Sequence, residues 1–368
     1  MNREPWTTHA ARLAEQLAEQ GAITDPAWRR TVEAVPRHVF VPGVALVLAY
    51  SDQTLVAQLK QHPDQPGFSW STSFSTRPSF TLRLLHLLDV RDGMDVLEIG
   101  TGTGYTAALL CERLGSQHVS TVDIDPELTE AARRRLADAG YRPNVATGDG
   151  LLGDPAHAPY DRVLATVATE RVPYTWVEQT RPGGVILADV RPRGMTWAGA
   201  LARLTVTDDG TADGPLIPTT SGFMSTRREA DRPGIPETAP IDTSVMRTRT
   251  SQVGDAALRT PGLSFLVWQR LPGITAYPGT DRTRIITPDG AWATATRTAP
   301  ATVEHGGPTD LWQQVEQAHA WWTAHGRPGV DAFHLTVTPD EQRIRYRLPN
   351  GKRVCARRSP THEKERSS

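Results

Sequence analysis

The sequence predicts an α/β protein: a doubly wound parallel sheet with helices on both faces, followed by a mixed α+β extension. Between about residues 79 and 190, short apolar, β-branched runs alternate with helical patterns, as is typical of parallel sheets. Beyond about residue 195 this alternation ends and the pattern weakens. With 368 residues, the chain is long enough for a core domain and a substantial extension.

The alternating part divides into predicted helices and strands of ordinary length. Asp125 and Pro126 mark one helix start, because Asp is a good N-cap and Pro suits the first helical position. The predicted helices cover residues 79–88, 104–114, 126–139 and 173–180. The predicted strands cover residues 94–99, 118–123, 143–147, 161–167 and 184–190.

The flanking regions give weaker predictions. Helices are expected at 7–20, 26–34 and 311–325, and irregular chain at 36–78 and 225–262. Hairpins are expected at 201–218 and at 333–348, followed by a turn at 349–351 and a last short strand. The predicted division is residues 1–78 as N-terminal helices and acceptor-side loops, 79–225 as the core, 226–357 as an extension for substrate recognition, and 358–368 as a disordered tail.

Composition excludes several functions. The net charge of −1 gives no indication of binding to nucleic acid or to a membrane. Cys111 and Cys355 lie far apart without metal-ligand spacing, and no metal is expected. The first 20 residues lack the apolar region of a signal peptide, so a cytoplasmic location is expected. The sequence does not indicate an oligomeric state.

The most informative segment is residues 96–105, in which a buried strand runs through a glycine-rich turn into a helix. Gly100, Gly102 and Gly104 are expected to let the backbone pass close to a ligand. Glu98 precedes the turn, where a fixed negative charge disfavours a diphosphate and favours a cation. The sulfonium of S-adenosylmethionine (SAM) fits this pattern. The competing interpretation, a dinucleotide site, needs the spacing G-x-G-x-x-G, from which this loop departs.

Two acidic residues at later strand ends complete the predicted cofactor site. Asp123 is placed to accept the ribose hydroxyls, as an acidic residue does in dinucleotide folds. Asp149, in a small turn after the third strand, is placed to accept from the adenine amino group. An ordinary acidic turn remains the alternative for each. The predicted cofactor-binding residues are Glu98, Gly100, Thr101, Gly102, Thr103, Gly104, Tyr105, Asp123, Ile124, Gly148, Asp149 and Gly150.

Several motifs in chain order resemble the protein-L-isoaspartate O-methyltransferase family. The matching segments are residues 35–42, 49–52, 96–105, 140–141, 148–150, 158–161 and 181–184. The resemblance covers roughly residues 30–190 and implies a Rossmann-like sheet. It also implies methyl transfer from SAM to a carboxylate, with S-adenosylhomocysteine as product.

The chain departs from this family in the loop expected to face the acceptor. Where the family carries G-Q-T-I-S-Q-P, residues 73–78 read Ser-Phe-Ser-Thr-Arg-Pro. Thr76 falls on the serine that orients the accepting carboxylate, so it is the predicted catalytic residue, and Arg77 replaces a neutral glutamine. A changed substrate is therefore expected. The predicted substrate-binding residues are Ser75, Thr76, Arg77, Val167 and Ala168.

The long C-terminal region resembles the extended methyltransferases of graspetide biosynthesis, which act beside ATP-grasp ligases. The features that match are residues 92–94, 222–224, Arg227 and 335–339. This resemblance implies a modified precursor peptide as partner, in which an aspartate is esterified and then collapses to an aspartimide. The alternatives left open are an isoaspartate repair enzyme and a peptide-binding scaffold with a vestigial SAM pocket.

For two other features, a structural role is preferred over a functional one. His38 is expected to make a structural hydrogen bond, because methylation of a carboxylate that is already ionised needs no general base. Trp312, Trp321 and Trp322 have helical spacing, which favours a packed core over a peptide grip.

Overall fold

The computed structural model of the chain describes residues 4–62, 66–227, 241–242, 244–347 and 353–360. Its N-terminal part packs short helices against the core and adds an antiparallel hairpin. These elements are α1 (Trp6–Glu19), α2 (Pro26–Ala34), α3 (Arg37–Phe40), α4 (Leu46–Ala49), β1 (Leu55–Gln61) and β2 (Ser69–Ser75).

The central part alternates strands and helices as the sequence predicts. Its elements are α5 (Pro78–Leu88), β3 (Val96–Ile99), α6 (Tyr105–Leu114), β4 (Val119–Asp123), α7 (Pro126–Asp138), β5 (Asn144–Thr147), β6 (Tyr160–Thr169), α8 (Tyr174–Glu178), β7 (Thr180–Val190), β8 (Ala200–Val206) and β9 (Ala212–Ile217). The Asp125 carboxylate accepts from the Glu127 N–H at 2.9 Å, which confirms the predicted cap of α7.

The C-terminal part contains a second sheet, two helices and three further strands. Its elements are β10 (Arg247–Ser251), α9 (Leu263–Arg270), β11 (Thr275–Pro278), β12 (Arg282–Ile286), β13 (Trp292–Thr296), β14 (Ala301–Gly306), α10 (Leu311–Ala324), β15 (Phe333–Val337), β16 (Glu341–Arg347) and β17 (Arg353–Pro360).

The main sheet has ten strands in the order β17-β16-β15-β9-β8-β7-β6-β3-β4-β5. The strands from β7 to β5 in this order are parallel, and β8, β9 and β15 to β17 pair antiparallel. β15 adds to β9, so the last part of the chain extends the sheet begun by the core. Strands β10 to β14 form a separate antiparallel sheet of five.

Side chains alternate between two cores, one on each face of the main sheet. Leu97 belongs to the core beneath α8, α9 and α10, whereas its neighbour Val96 belongs to the core beneath α1, α2, α5 and α6. Adjacent residues of a strand point to opposite faces, and a central parallel strand is buried on both. The predicted doubly wound α/β fold is therefore confirmed.

Several predictions for the flanking regions are wrong. Residues 36–78, expected to be irregular, contain α3, α4 and the β1–β2 hairpin, and β10 lies within the loops expected at 225–262. The strand β17 continues to Pro360, three residues into the tail expected to be disordered from 358. The turn expected at 349–351 and residues 361–368 lie outside the described residues. The division at residues 78 and 225 stays a prediction.

Candidate active site

A cavity of about 840 Å³ lies at the carboxyl ends of the parallel strands. Ligands bind at this edge of open α/β sheets, because the loops that follow the strands converge there. Of the predicted site residues, these line the cavity: Ser75, Thr76, Arg77, Glu98, Gly100, Thr101, Gly102, Thr103, Tyr105, Asp123, Ile124, Asp149, Gly150 and Val167. Gly104, Gly148 and Ala168 are not among the lining residues.

The three loop glycines serve different purposes, and not all of them are there to let the backbone pass close to a ligand. All have positive φ, but a Cβ on Gly100 would lie 2.7 Å from the Thr166 hydroxyl, and one on Gly104 would lie 3.2 Å from the Ala132 side chain on α7. These two glycines are needed for packing within the protein. Gly100 and Gly102 both line the cavity, but only Gly102 has room for a Cβ there, whose nearest neighbour would be the Ser73 hydroxyl at 3.4 Å.

Glu98 is buried beneath the glycine loop and is 1% exposed. The Thr121 hydroxyl donates to its carboxyl group at 2.8 Å. Burial raises the pKa of Glu98 to about 8, and the nearby Asp123 contributes in the same direction. Burial thus favours the protonated form of Glu98 when no cation is close, whereas the sequence predicted a fixed negative charge there. A cationic ligand would stabilise its carboxylate form.

Asp123 ends β4 and links two neighbouring turns. Its carboxylate accepts from the Gly102 N–H at 2.9 Å and from the Asp125 N–H at 3.1 Å. Burial raises the pKa of Asp123, and these two hydrogen bonds oppose that shift. The exposed Asp149 accepts from the Leu151 N–H at 2.9 Å. Both carboxylates therefore keep lone pairs available toward the cavity.

The acceptor-side residues lie at the end of β2 and are held by a buried arginine. The Arg37 guanidinium donates to the carbonyls of Ala49, Ser51 and Gln53 at 2.7–3.0 Å and to that of Thr76 at 3.3 Å. Arg37 is fully buried, so these carbonyls take the place of water. This role explains why residues 35–42 carry a family motif although they lie outside the cavity.

Two buried hydroxyls at the cavity have no partner among the described residues. The Ser75 Oγ, on a side chain that is 2% exposed, and the Tyr105 hydroxyl both lack a hydrogen bond. Burial raises the pKa of Tyr105 to about 12, so its hydroxyl remains a donor. An unsatisfied buried polar group costs about 1–3 kcal/mol. A ligand with carboxylate, ammonium and hydroxyl groups, such as SAM, would provide the missing partners.

Sequence reasoning missed the wall of the cavity that faces the acceptor segment. This wall segment, residues 219–227, crosses the sheet edge, and Ala168 pairs with it through the Met224 carbonyl and the Thr226 N–H, each at 2.8 Å. The backbone of Ala168 is therefore occupied by the protein. Asp189, at 0% exposure, accepts from the Phe223 N–H at 2.8 Å and from the Arg191 Nε at 2.8 Å.

Further cavity residues come from more distant parts of the chain. Trp197, Arg259 and Pro261 line the cavity together with Arg191. The only sequence signal among these was Arg191, which directly follows a strand at the functional edge. Trp197 and Arg259 lie in segments without a motif, so nothing in the sequence pointed to them.

The β1–β2 hairpin is attached to both sides of the site. Lys60 on β1 lies 3.0 Å from the buried Asp125 carboxylate and 3.6 Å from Glu127. The Arg227 guanidinium lies 5.8 Å from the centre of the Trp70 ring and donates to the Thr72 carbonyl at 3.4 Å. The hairpin thus bridges the cofactor loops and the wall segment.

The predicted structural roles of His38 and of the three tryptophans are confirmed. His38 Nδ1 and the Tyr50 hydroxyl are 2.8 Å apart, within a cluster of N-terminal aromatic rings. Trp312 is fully buried, and Trp321 and Trp322 pack against the core. No helix among the described residues is long and apolar enough to cross a membrane.

A parallel sheet with this glycine loop, and with carboxyl groups after its first three parallel strands, defines the class of SAM-dependent methyltransferases. The family model described as Protein-L-isoaspartate(D-aspartate) O-methyltransferase matches residues 8–210, more than half of the chain. The chain belongs to this family. It is accordingly a SAM-dependent protein carboxyl O-methyltransferase.

Individual relatives agree with this assignment. The protein-L-isoaspartate O-methyltransferase of Hyperthermus butylicus is 36% identical over 201 residues, which cover 52% of this chain and 78% of the relative. That of Methanothrix thermoacetophila is 42% identical over 167 residues, covering 44% and 73%. A solved structure with the same name has a TM-score of 0.56 at 20% identity and covers 95% of this chain and 99% of its own. At that identity it shows the fold alone.

Proposed function

We propose that the acceptor is the side-chain carboxylate of an aspartate in a ribosomally made precursor peptide, macrocyclised as in graspetides. The observation that carries this proposal is the altered acceptor segment, where Thr76 and Arg77 line the cavity. The cofactor loops keep the family pattern, whereas this segment does not. A change confined to the acceptor side supports a changed acceptor. The proposal places the reaction in the cytoplasm, where such precursors are made.

The chemistry asks little of the protein beyond positioning. An aspartate carboxylate is ionised near pH 7, because its usual pKa is about 4. SAM supplies the methyl group, and one carboxylate oxygen displaces S-adenosylhomocysteine in line with the carbon–sulfur bond. In the proposal, the Thr76 hydroxyl donates to the other oxygen, which orients the nucleophile. In the proposal, the unpaired hydroxyls of Ser75 and Tyr105 form hydrogen bonds to polar groups of the bound ligands.

The methyl ester then prepares a second step that needs no further reagent. The backbone nitrogen of the next residue attacks the ester carbonyl and loses its proton. Methanol leaves, and the five-membered aspartimide remains. Relative to the starting peptide, the two steps together remove one water.

The second candidate function is repair of isoaspartyl residues in damaged proteins. It is favoured by the names of the relatives, which are 36–42% identical to the core. The solved structure of the same name matches 95% of this chain. A long C-terminal region therefore does not count against repair, and the acceptor segment alone supports the first candidate.

The two candidates are separated by a direct comparison of acceptors. Purified enzyme and SAM are incubated with a short isoaspartyl peptide, its L-aspartyl counterpart and a cyclised precursor encoded beside the gene. Mass spectrometry is expected to show gain of a methyl group and then loss of methanol only with the precursor. A reaction mixture without SAM serves as the inactive control. Robust turnover of the isoaspartyl peptide would establish repair instead.

A further inference from the structure

Two arginines of the cavity have no counter-charge among the described residues. Of the described residues, four arginines line the cavity, and two of them are engaged: Arg191 with Asp189, and Arg227 with Trp70 and Thr72. The other two, Arg77 and Arg259, are exposed. Within the described ranges neither forms an ion pair, and the Arg77 guanidinium donates only to the neutral Ser221 hydroxyl, at 3.0 Å.

An aromatic side chain is fixed beside one of these arginines. Trp197 is 39% exposed, and its indole N–H donates to the Leu258 carbonyl at 2.6 Å. This hydrogen bond holds the ring next to the residue that precedes Arg259. Pro261 lines the cavity two residues further on. The lining of the cavity thus combines an indole held by a hydrogen bond with two exposed cations.

We infer that Arg77, Arg259 and Trp197 form a subsite for an acidic residue that flanks the methyl-accepting aspartyl residue. Each guanidinium offers paired N–H donors that match a carboxylate. In this subsite, the indole face of Trp197 packs against the part of the peptide substrate between its acidic side chain and the accepting carboxylate. This inference rests on the proposed peptide acceptor and assigns a recognition role to Arg259, which lies beyond the family match at residues 8–210.

The subsite is expected to act on the Michaelis constant more than on the chemical step. Exposed ion pairs are individually weak and screened by salt. An acidic flank is therefore expected to lower KM about fivefold relative to a neutral one, and the advantage should fade at high salt.

The test uses the full-length enzyme and two synthetic peptides with the same central residue, flanked by glutamate or by glutamine. Each is offered with an aspartyl and with an isoaspartyl centre. Arg259→Gln is expected to raise KM for the glutamate peptide about fivefold and to leave KM for the glutamine peptide and kcat unchanged, whereas for Arg77→Gln only the rise in KM for the glutamate peptide is expected. Arg30→Gln, an exposed arginine on α2, is the matched control. Equal effects on both peptides, or none, would overturn the subsite.

A failure of the proposed function gives a different result. If the wild-type enzyme methylates none of these peptides, the subsite is decided by binding of the same peptides, fluorescently labelled, with S-adenosylhomocysteine present. Tighter binding of the glutamate peptide that depends on Arg259 supports the subsite. Equal binding of the two peptides, or a preference that survives Arg259→Gln, refutes it.

Discussion

The donor and acceptor halves of the cavity are built in different ways. The donor half comes from the ends of three neighbouring strands, β3, β4 and β5, and each contributes one short motif. The acceptor half is assembled from β2, from the loop after β7, from the wall segment and from Arg259. Rigid strand ends keep the methyl donor constant in this family, whereas loops and appended elements are free to change the acceptor.

The largest expected effect tests the buried acid of the donor half. Folded Glu98 has a pKa of about 8, above its ordinary value of 4.5, so the folded state holds a proton that the unfolded state releases. The ligand-free protein should therefore lose stability as the pH rises from about 4.5 to about 8, by on the order of 5 kcal/mol. Thermal unfolding at pH 5 and pH 9 measures this loss.

Glu98→Gln cannot ionise and should remove most of that pH dependence, so that it is more stable than wild type at pH 9. Glu15→Gln, at an exposed position on α1, is the control and should behave as wild type. A pH dependence that persists in Glu98→Gln would assign the titration to another group.

The next largest effect is expected from a substitution that disturbs only the donor half of the cavity. Asp123→Asn removes the negative charge and keeps one of the two accepting oxygens, so only one of the N–H groups of Gly102 and Asp125 retains its acceptor. We expect the Kd for SAM to rise about 100-fold, because hydrogen bonds to charged groups contribute about 1.5–3 kcal/mol each. Calorimetry measures this change, with the exposed Asp138→Asn on α7 as control. An unchanged Kd would place the ribose elsewhere.

A smaller effect is expected from a substitution that disturbs only the acceptor half of the cavity. Thr76→Ala should lower kcat/KM for the accepted peptide about tenfold, the cost of one hydrogen bond of about 1.4 kcal/mol. The Kd for SAM should stay within about twofold, and Thr76→Ser should restore activity. Steady-state kinetics and calorimetry together decide the point. Equal losses in turnover and SAM affinity would contradict an acceptor-side role.

The smallest effect is expected from a substitution that weakens the binding of both substrates, the methyl donor and the peptide. Lys60 connects the hairpin that carries the acceptor residues to Asp125 beside the cofactor loops. Lys60→Gln is therefore expected to weaken SAM binding and to raise the KM of the peptide by a similar factor of about two to five. The same kinetic assay at low and high salt measures this. A change in only one constant would show that the hairpin does not couple the halves.

The sequence predicted the donor half well because its signals are local. Glu98, Asp123 and Asp149 each stand at the end of a recognisable strand, and the topology brings those ends together. Burial could not be foreseen in the same way. The neutral state of Glu98, and the contacts of Gly100 and Gly104 with side chains from β6 and α7, depend on neighbours distant in sequence.

The missed strands differ in the patterns they offer. β2 reads Ser-Trp-Ser-Thr-Ser-Phe-Ser, in which Trp70, Thr72 and Phe74 alternate with serine, so a strand could have been predicted there. β10 reads Arg-Thr-Arg-Thr-Ser and contains no apolar residue, so it shows no apolar alternation. Their pairing is decided by tertiary context, which outweighs intrinsic strand propensity. The wall segment is irregular, and only its contacts with Ala168 and Asp189 reveal its position.

The pairing of β15 with β9 also has a consequence for synthesis of the chain. His334 lies opposite Pro215, so β9 pairs along this edge with a strand that is synthesised well after it. Until that strand emerges from the ribosome, β9 has an open edge of the kind that pairs with other chains. A chain shortened after β9 would keep this edge open, so β15 covers an edge of the kind that favours aggregation.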